Sequence, residues 1–386
     1  RSLRGGLPRI DEAWGGFGKE FDDGPQGIAP APDDTGGADP LARWHSTEAS
    51  ERNPATQASR LVEHALEIDD TPGLHLIHVV LPHAPWFITP WSTRVMQPMP
   101  EWHDEGTGRL AQWSGLIRYQ RHSLQTGAAD VALGQVLDHL EQSDLWDDAT
   151  VIVTADHGTS TIPPHVGREP AGDNEEELYR VPLFVKPAGQ EGASVVDDVA
   201  MTIDVLPTLI DLLDIETDWT LDGHSLFDGS DPTVAPVVSA DVQGLFDVID
   251  RHAADFPHGW DWTALAAVGD HGALVGASLA DLEQGAPSRL SWAPNNEAAF
   301  AAVPDVNGDA PQIVTGRVSG SGSVEPPSVV LVVNGTVAGA TGGYERDGDA
   351  WTFSALLGPY LQPARNDLQA YEVTGPPTAP VLHRLA

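Results

Sequence analysis

The 386-residue sequence contains no cysteine, which excludes disulfides, thiolate metal sites and a cysteine nucleophile within it. Any metal held by these residues must be bound by His, Asp or Glu. Positive charge is scarce too: 20 Lys and Arg stand against 57 Asp and Glu, Lys19 and Lys186 are the only lysines, and the formal net charge is −37. Nucleic acid and anionic membranes recruit proteins through clustered basic side chains, so neither is an electrostatic partner. No apolar run reaches the roughly 18 residues of a membrane span. Arg1-Ser2-Leu3-Arg4-Gly5-Gly6 lacks the apolar core of a secretion signal, and a chain beginning with Arg is expected of a processed product or a fragment. The excess of acid has two readings, GC-rich codon bias or adaptation to high salt, where ions screen the self-repulsion.

What is present is enough apolar material, 41% of residues, for one or two packed cores rather than global disorder. Length suggests about two domains, and the pattern along the chain divides it further. Residues 1–60 are acidic and linker-like, with Ala29-Pro30-Ala31-Pro32-Asp33-Asp34 and no apolar periodicity. Over 61–230 short apolar runs alternate with amphipathic stretches. Residues 74–81 read as a strand ended by Pro82, and Val131, Leu133, Val136, Leu137 and Leu140 mark a helix face. Residues 150–154 have no alternation, as expected of a central parallel strand covered on both faces. Residues 181–185 form a further strand, and a helix capped by Thr202 runs through Ile203, Leu206 and Leu209. This order predicts an α/β domain with a mainly parallel sheet flanked by helices. Residues 231–310 are a mixed connecting region. Over 311–386, Gln312-Ile313-Val314, 329–333, Trp351-Thr352-Phe353 and 368–373 are strand candidates, with Asn334-Gly335 as a turn. They predict a small C-terminal all-β, sandwich-like module.

The strongest chemical signal is Val151-Ile152-Val153-Thr154-Ala155-Asp156-His157-Gly158. An apolar strand delivers a carboxylate and an imidazole at its carboxyl end, where open α/β sheets bind ligands. Asp oxygen and His nitrogen together make half of a divalent-metal site. The tripeptide recurs at Asp270-His271-Gly272, but after the Ala-rich Leu265-Ala266-Ala267-Val268 it reads as a surface turn. His83 lies between Pro82 and Pro85, and two prolines restrict the loop and fix where the imidazole points. His165 and Arg168 follow the first Asp-His-Gly in a loop able to grip an anionic ester.

These blocks resemble the sulfatase-like branch of the alkaline phosphatase superfamily, which includes arylsulfatases and phosphoglycerol transferases. The resemblance covers 61–228 and rests on His83-Ala84-Pro85-Trp86, Tyr119-Gln120-Arg121-His122-Ser123-Leu124-Gln125, Thr154-Ala155-Asp156-His157-Gly158, Val181-Pro182-Leu183-Phe184-Val185-Lys186, Thr202-Ile203-Asp204-Val205-Leu206-Pro207-Thr208-Leu209 and Leu221-Asp222-Gly223-His224-Ser225-Leu226. It implies an alkaline phosphatase-like α/β fold and a metal-dependent hydrolase or transferase acting on a sulfate or phosphate ester. It places a divalent metal (Mn, Ca, Mg or Zn) on Asp156 and His157, and substrate contact on His83. The implied partner is an anionic ester, such as a cell-envelope glycan or lipid, in an extracytoplasmic setting. A membrane tether would have to precede Arg1.

Members of that branch also carry an upstream strand ending in acidic ligands, followed by a nucleophile: formylglycine or Thr. Residues 1–60 hold no such strand, and hydroxyls such as Thr35 and Ser46 lie in loop-like sequence. No nucleophile is assigned. Two readings stay open. Either this chain carries the second half of an active site, with the nucleophile supplied before Arg1, or it is a non-catalytic binding or scaffold relative at the cell surface.

Overall fold

The computed structural model describes residues 54–91, 93–96, 108–161, 163–171, 174–196, 199–229, 261–305, 308–320, 322 and 324–386. The linker-like residues 1–53, including Thr35 and Ser46, and 231–260 of the connecting region lie outside them. The expected linker ends earlier than position 60, because Pro54–Ala65 is a helix, α1. It packs against α2, Arg109–Gln142, after a two-residue strand β1 at Arg94–Val95.

The 34-residue α2 extends far beyond the 131–140 face visible in sequence. Its N-terminal half is buried on several sides, and a polar residue there bonds to another part of the chain: Gln120 Nε2 donates to the Leu265 carbonyl at 2.9 Å. Leu124 joins Val95, Leu265, Ile313 and Leu356 in one apolar cluster, which fastens the helix to the C-terminal sheets. The helix ends where Asp144 takes φ +59°, a left-handed residue that stops helical bonding just past Gln142.

Strand β2, Val151–Thr154, pairs with β3, Leu183–Lys186, across a connection holding the short helix α3, Glu175–Tyr179. The pairing is antiparallel, from Val151 opposite Lys186 to Thr154 opposite Leu183. The expected mainly parallel sheet is therefore not what the described strands form. A five-residue helix does not carry the chain back along β2, so the two strands meet as a wide hairpin. Nor is β2 covered on both faces: Val151, Ile152 and Val153 are half-buried, and Phe184 opposite them is 65% exposed. Lys186, one of the two lysines, donates to the carbonyls of Trp146 and Ala149 and stands 4.6 Å over the Trp146 ring.

Residues 74–81 are not a strand. Leu76 is 88% exposed, and Val80 N–H donates to Gln57 Oε1 of α1 at 3.0 Å rather than to a neighbouring strand. An apolar run without a partner edge has no ladder to join. The helix expected from Thr202 is present as a 3₁₀ turn at Thr202–Asp204 leading into α4, Val205–Leu212. Asp204 is fully buried and accepts from the Met201 and His224 amides at 2.8 and 3.0 Å. The His224 ring lies 3.1 Å from the same carboxylate. The blocks around Thr202 and Leu221 thus hold each other in place.

After α5, Trp262–Ala266, come β4 (Glu283–Gln284), β5 (Ser291–Pro294), β6 (Asp309–Ala310), β7 (Ile313–Ser319), β8 (Ser328–Val333), β9 (Thr336–Gly342), β10 (Glu345–Asp347), β11 (Ala350–Leu356), β12 (Leu368–Thr374) and β13 (Val381–Arg384). β6 pairs in parallel with β1, and the other nine form a four-stranded sheet ordered β10-β11-β7-β5 and a five-stranded sheet ordered β4-β13-β12-β8-β9. Val329, Leu331 and Val333 bury one face of β8 against Phe353 and Leu357, while Val330 and Val332 bury the other against Tyr371 and Leu382. Coverage on both faces is why this run is apolar without alternation. Asn334-Gly335 turns β8 into β9 with both residues at positive φ, 51° and 83°, as a two-residue hairpin loop requires. The second Asp-His-Gly does lie in a turn, but only Asp270 is on the surface. His271 is 8% exposed, with Nδ1 2.8 Å from Ser328 Oγ.

Candidate functional site

Asp156 and His157 leave the carboxyl end of β2 at the start of a loop that α3 holds from behind. Gly158 N–H donates to the Leu178 carbonyl at 2.7 Å, and a Cβ at Gly158 would overlap the Glu177 carbonyl oxygen, so glycine alone permits this approach. Glu177 Oε2 accepts from Ser160 Oγ at 2.5 Å and from Thr161 N–H at 3.2 Å. On the opposite side α2 comes so close that a Cβ at Gly115 would strike the Thr161 carbonyl. The turn is thus wedged between two helices.

Within it, the His157 amide donates to Asp156 Oδ1 at 3.0 Å, and His157 Nδ1 lies 2.7 Å from the Gly158 carbonyl. A carbonyl oxygen only accepts, so Nδ1 carries the ring hydrogen and the lone pair is left on Nε2. That Nε2 is 3.8 Å from Asp156 Oδ2. At the roughly 2.0–2.2 Å bond lengths typical of such ligands, one ion can bridge donors up to about 4.3 Å apart. The 3.8 Å separation would have to shorten by a few tenths of an ångström for tetrahedral sharing of one ion, and the Nδ1 bond to a backbone carbonyl is of the kind that orients many metal-bound histidines. Among the described residues no group of three or more His, Asp or Glu side chains could hold a metal ion.

Arg168 joins the pair, its Nη1 3.5 Å from His157 Nε2. It and His165 ride on a loop closed by reciprocal backbone bonds between Ser160 and Gly167, each 2.9 Å. The buried Asn174 braces the loop, donating to the His165 and Glu169 carbonyls and accepting from the Ala171 amide. His165 is exposed on this loop, and its carbonyl is the part bound to Asn174.

His83 lies in a separate loop. Its ring repeats the arrangement of His157: Nδ1 is 2.6 Å from the next residue's carbonyl, Ala84 O, which leaves the lone pair on Nε2. Trp86 Nε1 donates to the Pro82 carbonyl at 3.0 Å and packs edge-on against His122 of α2, with ring centroids 5.5 Å apart. Burial pushes the His122 ring down to about 4, a shift that Glu177 partly opposes. Burial likewise brings the Arg121 guanidinium down to about 10. The structure brings Asp156, His157 and Arg168 together. His83 is linked to them through α2 and does not join Asp156 and His157 in a three-ligand group.

Glu177, Asn174, His122 and Gln125 were assigned no role from sequence. Gln125 and His122 stand in the block Tyr119-Gln120-Arg121-His122-Ser123-Leu124-Gln125, but their partners are distant in the chain. Glu177 sits in the acidic run Glu175-Glu176-Glu177, which looks like an ordinary solvated helix start.

Comparison with known proteins shows what the chain is similar to. The Sulfatase family model matches residues 28–215. A multifunctional alkaline phosphatase superfamily protein, PehA, of Trinickia caryophylli is 36% identical over 99 residues, 25% of this chain and 19% of the relative. The extracellular sulfatase SULF-1 homolog of Drosophila melanogaster is 26% identical over 148 residues, 37% of this chain and 12% of the relative. Lipoteichoic acid synthase 2 of Bacillus subtilis (strain 168) is 28% identical over 120 residues, 29% of this chain and 18% of the relative. The matched part of this chain is sulfatase-like and is similar to the sulfatase-like branch of the alkaline phosphatase superfamily. The matches span less than a fifth of the length of these relatives.

Proposed function

We propose that this chain contributes the Asp-His half of the metal site, together with anion-binding groups, to a sulfatase-like hydrolase or transferase of sulfate or phosphate esters. The observation that carries the reading is the fixed tautomer of His157, which turns Nε2 toward Asp156 Oδ2 at 3.8 Å with Arg168 alongside. A divalent ion of the Mn, Ca, Mg or Zn type, when bound, supplies Lewis-acid stabilisation of negative charge on the ester. Asp156 and His157 would hold it. Arg168 and His165, on one loop next to His157, would bind the anionic group, and the His83 imidazole would offer a hydrogen-bond partner from its own loop.

The remaining ligands and the nucleophile belong, in this reading, to polypeptide outside the described residues. Phe184 of β3 is 65% exposed, which leaves apolar surface of this two-stranded sheet open to a further chain segment. The relatives' printed names support an extracytoplasmic setting and an anionic ester of a glycan or lipid. A membrane tether is not carried by any described helix, none of which is long and apolar enough to cross a bilayer.

The test is turnover of an aryl sulfate and an aryl phosphodiester by the protein from its source, with and without added divalent cation. Cation-dependent turnover of one ester, lost in Asp156→Asn, is expected. Turnover retained in Asp156→Asn would remove the assignment, and a bound cation without turnover would favour the non-catalytic scaffold reading.

A further inference from the structure

Gln125 is fully buried in α2, yet every hydrogen-bonding position of its amide is used on one loop. Nε2 donates to the carbonyls of Pro82 at 3.2 Å and His83 at 2.6 Å, while Oε1 accepts from the amides of Phe87 at 3.1 Å and Ile88 at 3.4 Å. A primary amide offers two donors and one oxygen with two acceptor sites, so none is left over. The four partners flank His83-Ala84-Pro85-Trp86 on both sides.

A loop carrying two prolines has few backbone N–H groups with which to build its own turn. The His83 amide bonds to the Val80 carbonyl at 2.8 Å, and Pro82 and Pro85 have none to offer. The loop's geometry is therefore held from outside, by an amide standing on a long helix that is itself anchored to the C-terminal sheets through Leu124 and Gln120. The neighbouring turn of the same helix touches the loop through His122 against Trp86, and comes close to the Asp156 turn through Gly115.

We propose that Gln125 is a positioning residue that sets the orientation of the His83 imidazole toward an anionic sulfuryl or phosphoryl group. The proposal rests on the substrate-binding reading of His83 and goes beyond it by naming what aims that ring. Gln125→Glu keeps the acceptor half of the clamp and loses both donors. Gln125→Leu loses all four bonds at similar volume.

The experiment uses the full chain and two readouts: amide hydrogen exchange over residues 83–88, and the His83 imidazole NMR signals during titration with inorganic phosphate and inorganic sulfate. In Gln125→Leu, exchange at Phe87 and Ile88, whose amides lose their acceptor, is expected to quicken by about tenfold; in Gln125→Glu, which still accepts, it is expected to stay near the wild-type rate. The anion affinity read at His83 is expected to weaken by about tenfold in both variants, with a lowered thermal midpoint because buried polar groups lose their partners. Exchange unchanged in Gln125→Leu would overturn the clamp. Faster exchange with an unaltered anion response at His83 would overturn its positioning role. If neither anion moves the His83 signals of the wild type, the substrate reading of His83 fails, and the exchange data still decide the clamp by themselves.

Discussion

At the residue scale the site is built from side chains that backbone groups hold in one state. His157 and His83 each give their Nδ1 hydrogen to the following carbonyl, and the carboxylate of Glu177 bonds Ser160 and Thr161. His122, which packs against Trp86 of the His83 loop, is perturbed by burial. Its ordinary value near 6.5 falls to about 4 because burial disfavours the charged ring. Between those values the unfolded chain binds a proton that the folded chain does not, so stability is fully present above about pH 6.5 and declines as pH falls through about 4. The loss is on the order of 2 kcal/mol. Urea melts at pH 7 and pH 4.5 are expected to show a smaller difference for His122→Gln than for the wild type. Gly158→Ala forces a methyl group against the Glu177 carbonyl and is expected to cost roughly 1–3 kcal/mol, read as a lowered thermal midpoint. Asp156 and His157 were legible in sequence because consecutive residues after an apolar strand keep their neighbourhood. Gln125 and Asn174 were not, since what matters about them is which loop folds onto them.

At the element scale, legibility followed the presence of a partner. The unbroken apolar run of β8 was readable as a buried strand, and Asn334-Gly335 gave its turn, because both faces and both neighbouring strands are supplied within the chain. Residues 74–81 carry an equally strand-like pattern and form none; Val80 N–H bonds to Gln57 of α1 and not to a strand. β2 was expected to be parallel and central. It pairs antiparallel with β3 because the connection is a wide hairpin rather than a helical crossover. Helix α2 was underestimated because its N-terminal half mixes buried Gln, Arg and Ser with apolar residues, which blurs the amphipathic stripe. The C-terminal sandwich is expected to dominate stability. Leu331→Ala, at a fully buried position between the sheets, should cost about 2–5 kcal/mol in denaturant unfolding.

At the scale of the whole molecule, −37 formal charges act on every element at once. If the acidity is an adaptation to salt, shortening the screening length to about 3 Å in molar salt relieves the repulsion, and the thermal midpoint rises between dilute buffer and 1 M KCl. An unchanged midpoint would favour codon bias instead. The same charge raises the local concentration of cations near the surface, so non-specific metal binding has to be separated from the half-site. The sequence provides its own control in the second Asp-His-Gly, where His271 is buried against Ser328. The most direct measurement is therefore paramagnetic line broadening by Mn²⁺ on the full chain, followed at both tripeptides. Broadening centred on Asp156, His157 and Gly158, reaching Arg168 and absent from Asp270 and His271, is the expected result. Broadening that is equal at the two tripeptides, or missing from the first, would contradict a metal half-site at Asp156 and His157.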